Sequence, residues 1–296
     1  MKSLPILYIV VPCYNEEEAL PLSAPVFRKK LGDLIDAGAI APESRIVLVD
    51  DGSKDATWSI IRSLHESDAH FTGLRQICNR GHQNALTAGL MWSRTRCDIT
   101  ISIDADLQDD IDAMDKMVEK YKEGCGIVCG VRASRATDTF LKRTTARGYY
   151  GLMKLFGSDL IYDHADYRLM SRETLDALSE YHEVNLFLRG IVPTLGYQTS
   201  KVYYERGERE AGESKYPLKK MIAFAIQGIT SFSTKPLSFV TGAGLLSILV
   251  AIGMFVYVLV SLGFGHAIAG WGSMMISIWL IGGLIMLSLG TVSYTH

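Results

Sequence analysis

Four carboxylates fall within seven residues at Asp104, Asp106, Asp109 and Asp110, with Gln108 among them. A cluster of this kind repels itself unless a cation is shared between its members. Hard oxygen donors suit magnesium or manganese, which bind through one or two carboxylates and complete their shell with water or substrate phosphates. An Asp-x-Asp triplet such as Asp104-Ala105-Asp106 also occurs in solvated acidic turns, so its placement decides its meaning. It directly follows residues 98–103, a stretch of strand character. Two further polar clusters stand in the same relation to apolar runs: residues 12–17 follow 6–11, and Asp50-Asp51-Gly52 follow 45–49. Three polar clusters at three strand ends point to one site.

Holding such clusters together takes a framework, and the chain alternates strand-like and helix-like segments. Strands are predicted at residues 6–11, 45–49, 74–78, 98–103 and 126–131, the first a continuous β-branched run expected of a strand covered on both faces. Helices are predicted through about residue 34 and at 55–66, 84–95 and 113–121, with the Ser53 hydroxyl placed to cap the second of them. The alternation suggests parallel pairing in an open, Rossmann-type α/β sheet with flanking helices. Such sheets bind ligands in the crevice beyond the carboxyl ends of their strands.

The charge pattern divides the chain. Thirty Lys and Arg against 32 Asp and Glu give a formal net charge of −2, which offers nucleic acid no general attraction. From residue 236 to residue 296 there is no Lys, Arg, Asp or Glu, which a purely soluble protein does not explain. Two stretches there, 237–262 and about 271–292, are long enough to cross a bilayer and read as a hairpin. Before them, Leu218, Met221, Ile222, Ala225, Ile229 and Phe232 recur at helical spacing, as in an amphipathic helix lying along a membrane surface or, alternatively, packed on the preceding domain. Lys215, Lys219, Lys220 and Lys235 crowd the near side of the hairpin and the connection at 263–270 is uncharged, which places the N-terminal domain in the cytoplasm. Five cysteines without paired spacing read as cytosolic thiols, Cys125 and Cys129 as buried ones. The apolar run that ends at Cys13 has no small-residue cleavage site after it and reads as a strand rather than a signal peptide.

In chain order, Val11-Pro12-Cys13-Tyr14-Asn15-Glu16-Glu17, Val49-Asp50-Asp51-Gly52-Ser53-Lys54-Asp55, Asn79-Arg80-Gly81-His82-Gln83-Asn84-Ala85-Leu86-Thr87-Ala88-Gly89-Leu90 and Asp104-Ala105-Asp106-Leu107-Gln108-Asp109 resemble the inverting glycosyltransferases of family 2. Within that family they are most similar to the polyprenyl-phosphate group of bactoprenol glucosyltransferases and dolichol-phosphate mannose synthases. His164-Ala165-Asp166-Tyr167-Arg168-Leu169-Met170, Gly212-Glu213-Ser214-Lys215-Tyr216 and the two-span tail extend the resemblance over nearly the whole chain.

The resemblance implies a GT-A-like mixed sheet, with a catalytic domain at 1–212, a juxtamembrane helix at 213–235 and a transmembrane hairpin at 236–296. It implies that Pro12, Tyr14, Glu16 and Asp51 bind the nucleotide, with Asp50 a second candidate, and that Asp104, Asp106 and Gln108 hold a magnesium or manganese ion and the diphosphate. Asp166 falls on the acceptor side, where its alternative is a salt bridge to Arg168. Arg132 and Arg206 are the better candidates to face an acceptor phosphate, ahead of Arg143; Arg135, Lys142 and Arg209 read as solvated charges. His82 reads as a loop-structural residue. The family commonly has proline where this chain has Asp110, which bears on local rigidity.

The implied activity is inverting transfer of a sugar from a nucleotide sugar to polyprenyl phosphate at the cytoplasmic membrane surface, by a multi-pass inner or plasma membrane protein. UDP-glucose is the first donor by resemblance, with UDP-N-acetylglucosamine and GDP-mannose as alternatives. Because a phosphate monoester has a second pKa of about 6, the acceptor is largely ionised already, and Asp166 would orient it or complete its deprotonation. Gly242, Gly244, Gly282 and Gly283 are candidate close-approach positions between spans, within the hairpin or in a homo-oligomer. A processive polysaccharide synthase resembles chains with a Gln-x-x-Arg-Trp motif, absent from this sequence. A non-catalytic nucleotide-sugar sensor would need neither Asp166 nor the arginines, and a sugar nucleotidyltransferase would open with a glycine-rich loop after Val11.

Overall fold

The computed structural model describes residues 4–132, 164–181, 188–205, 235–264 and 270–295. These fall into two compact units, one built around a sheet and one formed by the C-terminal helices. The predicted juxtamembrane helix lies almost wholly outside the described residues, as do Arg143, Arg206 and Arg209.

The first unit holds seven strands: β1 (Leu7–Cys13), β2 (Arg45–Asp50), β3 (Phe71–Arg75), β4 (Ile99–Ser102), β5 (Ile127–Arg132), β6 (His164–Ser171) and β7 (Thr199–Tyr204). Its helices are α1 (Leu20–Asp36), α2 (Thr57–Ser67), α3 (His82–Ser93), α4 (Ala113–Lys122), α5 (Arg172–Leu178) and α6 (Leu188–Thr194). The strands line up in the order β3-β2-β1-β4-β6-β5-β7. β1 pairs in parallel with β2 and β4, β2 with β3, and β5 with β7, whereas β6 runs antiparallel to both β4 and β5. The sheet is therefore mixed, and the reversed strand brings the beginning of β6 beside the end of β4. The apolar run of β1 is buried along its whole length. Leu7, Ile9 and Val11 of β1, Ile46 and Leu48 of β2, and Ile99 and Ile101 of β4 form one core with Phe27 and Leu31 of α1 and Met114 and Met117 of α4. Full burial of such a side chain is worth about 1.5–3 kcal/mol relative to exposure.

Three local expectations need correction. β3 lies three residues earlier than predicted: Gln76 N–H makes a last bond to the Asp50 carbonyl, after which Ile77 is fully exposed and Cys78 exposed. Ser53 does not cap α2, which starts later with Ala56 at its N-cap; the Ser53 hydroxyl accepts the Asn15 N–H at 3.0 Å instead. Strands β6 and β7 were not anticipated, because charges interrupt the apolar pattern of the first and the second is a half-exposed edge. Cys125 and Cys129 are buried, as predicted.

α3 lies close against the sheet through Gly89, where an added Cβ would come within 2.5 Å of Val10 Cγ1 and 2.8 Å of Val49 Cγ2. Gly89→Ala is therefore expected to destabilise the first unit by about 1–3 kcal/mol through overpacking. Gly32→Ala is the control: it lies inside α1, its nearest contact would be Arg28 Nη1 at 3.4 Å, and it should raise the thermal midpoint. Equal midpoints for the two variants would contradict the close approach.

The second unit contains α7 (Lys235–Gly263) and α8 (Trp271–Thr295). Within them Leu237–Gly263 and Trp271–Val292 have mean hydropathies of 2.7 and 2.0 and are only 11% buried, so their apolar surface lies open, unlike that of a soluble core helix. The helices meet at glycines. A Cβ on Gly244 would lie 2.9 Å from the Gly283 carbonyl, one on Gly283 would lie 2.8 Å from Ile248 Cγ1, and one on Gly290 would overlap Thr241. Of the four glycines singled out from the sequence, Gly244 and Gly283 are at this contact, and Gly242 and Gly282 face open space.

Candidate active site

The strand ends β1 and β2 are knitted together by side chains. Pro12 pairs opposite Val49 and Cys13 opposite Asp50 in the parallel ladder. Past the strand, Asn15 sits at φ 54, a left-handed value that asparagine tolerates better than most residues. Its side-chain carbonyl accepts the Lys54 N–H at 3.0 Å, and Glu16 N–H donates to Thr57 Oγ1 at 2.8 Å. Burial pushes the Cys13 thiol far up, leaving it no thiolate chemistry.

Asp50 is fully buried; its Oδ1 accepts the Ser53 N–H at 2.9 Å and its Oδ2 lies 3.4 Å from Arg75 Nε. The buried Asp51 carboxylate accepts the N–H groups of Arg80 at 2.8 Å and Gly81 at 2.9 Å. Gly52, at φ +67, lets residues 78–79 pass so near that a Cβ would be 2.7 Å from the Cys78 carbonyl carbon. Asp51 thus builds the loop leading into α3. Among the five residues assigned to the nucleotide side, Tyr14 is the exposed one, Glu16 is intermediate, and Pro12, Asp50 and Asp51 are buried.

The acidic turn follows β4. Leu107 adopts φ 55, a conformation costing a bulky residue on the order of 1–2 kcal/mol. Gln108 N–H closes the turn on Asp106 Oδ1 at 3.2 Å. Asp110, in place of the family's proline, is fixed from two sides: its Oδ1 accepts the Asp112 N–H at 2.9 Å and its carbonyl accepts the Tyr167 hydroxyl at 3.0 Å. Asp109 is 2% exposed; it accepts the Tyr204 hydroxyl at 2.6 Å and lies 3.4 Å from Arg132 Nη2.

The antiparallel register supplies the remaining partners. Ser102 of β4 pairs with Arg168 of β6, which brings the end of β4, with Asp104 two residues beyond it, beside the start of β6, which carries Asp166. Between these carboxylates stands the ring of His82, the first residue of α3, with Nε2 3.6 Å from Asp104 Oδ1 and 3.5 Å from Asp166 Oδ2. Asp166, 8% exposed, also meets Arg168 Nη2 at 3.1 Å and Gln83 Nε2 at 3.2 Å. Arg168 donates to the Leu188 carbonyl at 3.1 Å, and Leu188 N–H donates to Gln83 Oε1 at 3.3 Å, which ties the start of α6 to the same carboxylate. The Ser102 hydroxyl donates to the Asp166 carbonyl.

Burial raises the Asp104 carboxyl, Asp166, Asp109 and Asp106 add repulsion, His82 opposes them, and the group is pushed up to about 6. Its side chain keeps 41% of its surface open toward the cleft, so the burial comes from protein on its other sides. A turn that holds carboxylates against this repulsion fits a divalent cation. Among the described residues no three acidic, histidine or cysteine side chains form a ready-made metal cage. Magnesium and manganese bind through one or two carboxylates and take their remaining ligands from substrate phosphates and water. Asp104, Asp106 and Gln108 lie on the one turn that would hold the ion.

The structure brings together Asp104, Asp166 and His82 at one point and Arg132 with Asp109 at a neighbouring one. His82 has charged partners that the sequence reading did not give it, and the Asp166–Arg168 salt bridge is present. Tyr204 carried no sequence signal, since its partner Asp109 is 95 residues away. A cavity of about 800 Å³ near Pro5, Asp98 and Ser171 lies around the opposite ends of the strands and includes none of these residues.

A mixed α/β sheet with an acidic Asp-x-Asp turn after β4 and polar loops after β1 and β2 is the arrangement that the resemblance to glycosyltransferases implies. The chain belongs to glycosyl transferase family 2, whose sequence pattern matches residues 8–179. It is 51% identical over 295 residues to an uncharacterized glycosyltransferase, YkoT, of Bacillus subtilis, spanning 98% of this chain and 86% of that one. It is 39% identical over 289 residues to the bactoprenol glucosyl transferase of Shigella phage SfX, spanning 96% and 91%. A solved mannosyltransferase from Pyrobaculum calidifontis, in complex with GDP-Man and Mn2+, aligns over 97% of this chain and 88% of that one at 18% identity and a TM-score of 0.45.

Proposed function

We propose that this enzyme transfers glucose from UDP-glucose to a polyprenyl phosphate at the cytoplasmic face of the membrane, with inversion and with magnesium or manganese. The observation that carries this reading is the juxtaposition of the acidic turn with Asp166 through His82 and with Arg132 through Asp109, in a chain with two membrane-length apolar helices. The name of the relative from Shigella phage SfX supports glucose and a bactoprenol-type acceptor.

In this reading the nucleotide lies over the ends of β1 and β2, against Tyr14 and Glu16. Asp104, Asp106 and Gln108 would hold a divalent ion, which would supply charge neutralisation for the diphosphate. Arg132, with Arg206 beyond the described residues, offers guanidinium donors to the acceptor phosphate and fixes it in line with the bond to be broken, so less orientational entropy is lost at reaction. A phosphate oxygen attacks the anomeric carbon, the bond from that carbon to the diphosphate oxygen breaks, and the nucleoside diphosphate departs. One displacement gives inversion. Asp166, buried against Arg168, Gln83 and His82, orients the acceptor side, while the ionised phosphate needs little help from a base.

The test incubates the purified protein with UDP-glucose, UDP-N-acetylglucosamine or GDP-mannose, magnesium or manganese, and polyprenyl phosphate, and identifies the lipid product by mass spectrometry. A hexosyl lipid phosphate made from UDP-glucose is expected. Product from another donor alone would reassign the sugar, and no lipid product with any donor would overturn the acceptor. Arg132→Ala should raise the KM for polyprenyl phosphate roughly 10- to 100-fold, the value of a charge-assisted contact, with a smaller change for the sugar nucleotide. An unchanged lipid dependence would remove Arg132 from the acceptor site.

A further inference from the structure

The guanidinium of Arg132 is not a free surface charge. Only 29% of its side chain is exposed, its Nη2 faces Asp109 at 3.4 Å, and its buried Nε has no hydrogen-bond partner. The contact to Asp109 is long for a charge-assisted hydrogen bond, and the Tyr204 hydroxyl is a second hydrogen-bond partner of the guanidinium. Asp109 is held more firmly. The Tyr204 hydroxyl meets it at 2.6 Å, and Tyr204 and Arg132 are register partners on the parallel strands β7 and β5.

The tyrosine is itself seated. Its ring meets the edge of Tyr167 at a centroid distance of 5.4 Å and an interplanar angle of 78°, and the Tyr167 hydroxyl fixes the Asp110 carbonyl. Both rings pack over Gly130 of β5, where a Cβ would stand 3.0 Å from Tyr167 Cδ1 and from Tyr204 Cε1. Burial, with Asp109 second, pushes the Tyr204 hydroxyl far up, so it stays a donor at any working pH. The end of the acidic turn, β5, β6 and β7 thus converge on one buried carboxylate.

We infer that Asp109, oriented by Tyr204, is a positioning residue that aims Arg132 at the acceptor phosphate and ties that arginine to the turn holding the donor. This rests on the acceptor-side reading of Arg132 given above. A long side chain whose direction is set before the phosphate arrives loses less freedom on binding, and that advantage appears in the lipid KM.

Full-length protein in detergent, with UDP-glucose, manganese and polyprenyl phosphate, provides the test. Tyr204→Phe keeps the ring against Tyr167 and removes the hydroxyl; it should raise the lipid KM roughly 3- to 10-fold, the worth of one hydrogen bond, with kcat changed less. Asp109→Asn, which keeps an oxygen for Tyr204 but removes the charge facing Arg132, should do the same. Combining Tyr204→Phe with Arg132→Ala should give the lipid KM of Arg132→Ala alone, because the tyrosine acts through the arginine. A lipid KM that responds to Arg132→Ala but to neither Tyr204→Phe nor Asp109→Asn, or additive losses in the double variant, would overturn the positioning role and leave the proposed function standing. An unresponsive Arg132→Ala would instead remove the acceptor role of Arg132, and this inference with it. Independently of turnover, the Arg132 Nε–H resonance, assigned by its loss in Arg132→Ala, should shift in Tyr204→Phe; an unmoved resonance also overturns the inference.

Discussion

Asp104→Asn is expected to lower sugar transfer on the order of 10²–10³-fold, the range seen when one electrostatic stabiliser of a developing charge is removed. The same substitution should make the metal-free protein more stable at neutral pH. Burial and the carboxylates of Asp166, Asp109 and Asp106 raise the Asp104 carboxyl to about 6 in the fold. In the unfolded chain it titrates near 3.9. A raised folded value means that the native state binds the proton more tightly, so stability falls as pH climbs from about 4 to about 6 and stays reduced above that. Asparagine cannot ionise, so in chelator-treated protein at pH 7 the variant's thermal midpoint should exceed that of wild type, with the difference vanishing below pH 4. Solvent reaches part of the side chain, so the shift will be modest. Near-normal turnover, or a variant less stable than wild type without metal, would refute the account of this turn as a cation site.

The largest loss of stability is expected from Arg168→Met. Arg168 is almost wholly buried and compensates Asp166, which is itself nearly enclosed. Breaking a buried pair by removing one partner leaves an uncompensated charge and costs about 3–5 kcal/mol. Met fills similar space, so the loss isolates the charge. The companion double variant with Asp166→Asn should recover most of the thermal midpoint, because it removes both charges, yet transfer should stay low if Asp166 orients the acceptor. A single variant that melts like wild type would show that His82 and Gln83 suffice to hold Asp166.

Much of this framework is legible along the chain because β1 and β2 are apolar runs that stop where polar residues begin and β4 alternates isoleucine with Thr100 and Ser102 up to its acidic turn, and the polar residues at those ends had to share an edge of the sheet. β6 was hidden for a physical reason. Asp166 and Arg168 break its apolar alternation, and they become tolerable there through each other and through His82, Gln83 and Leu188 from distant parts of the chain. Once β6 is known to run against β4, its start is seen to lie beside the acidic turn, and His82 gains its meaning from Asp104 and Asp166 together. Tyr204 and Asp109 illustrate a different limit, since a hydrogen bond across 95 residues leaves no local trace. The resemblance to family 2 singled out the acidic turn along the chain, but the occupation of Asp51 by the Arg80 and Gly81 amides emerges only in three dimensions.

The glycine contacts between α7 and α8 fix more than proximity. With Gly244 against Gly283 and Gly290 against Thr241, sliding one helix past the other by a turn would drive side chains such as Ile248 into backbone. The two helices therefore keep their relative height. In a bilayer thicker or thinner than their common length, the pair can answer only by leaning together as a single rod, or by making the surrounding lipid stretch or thin to match it.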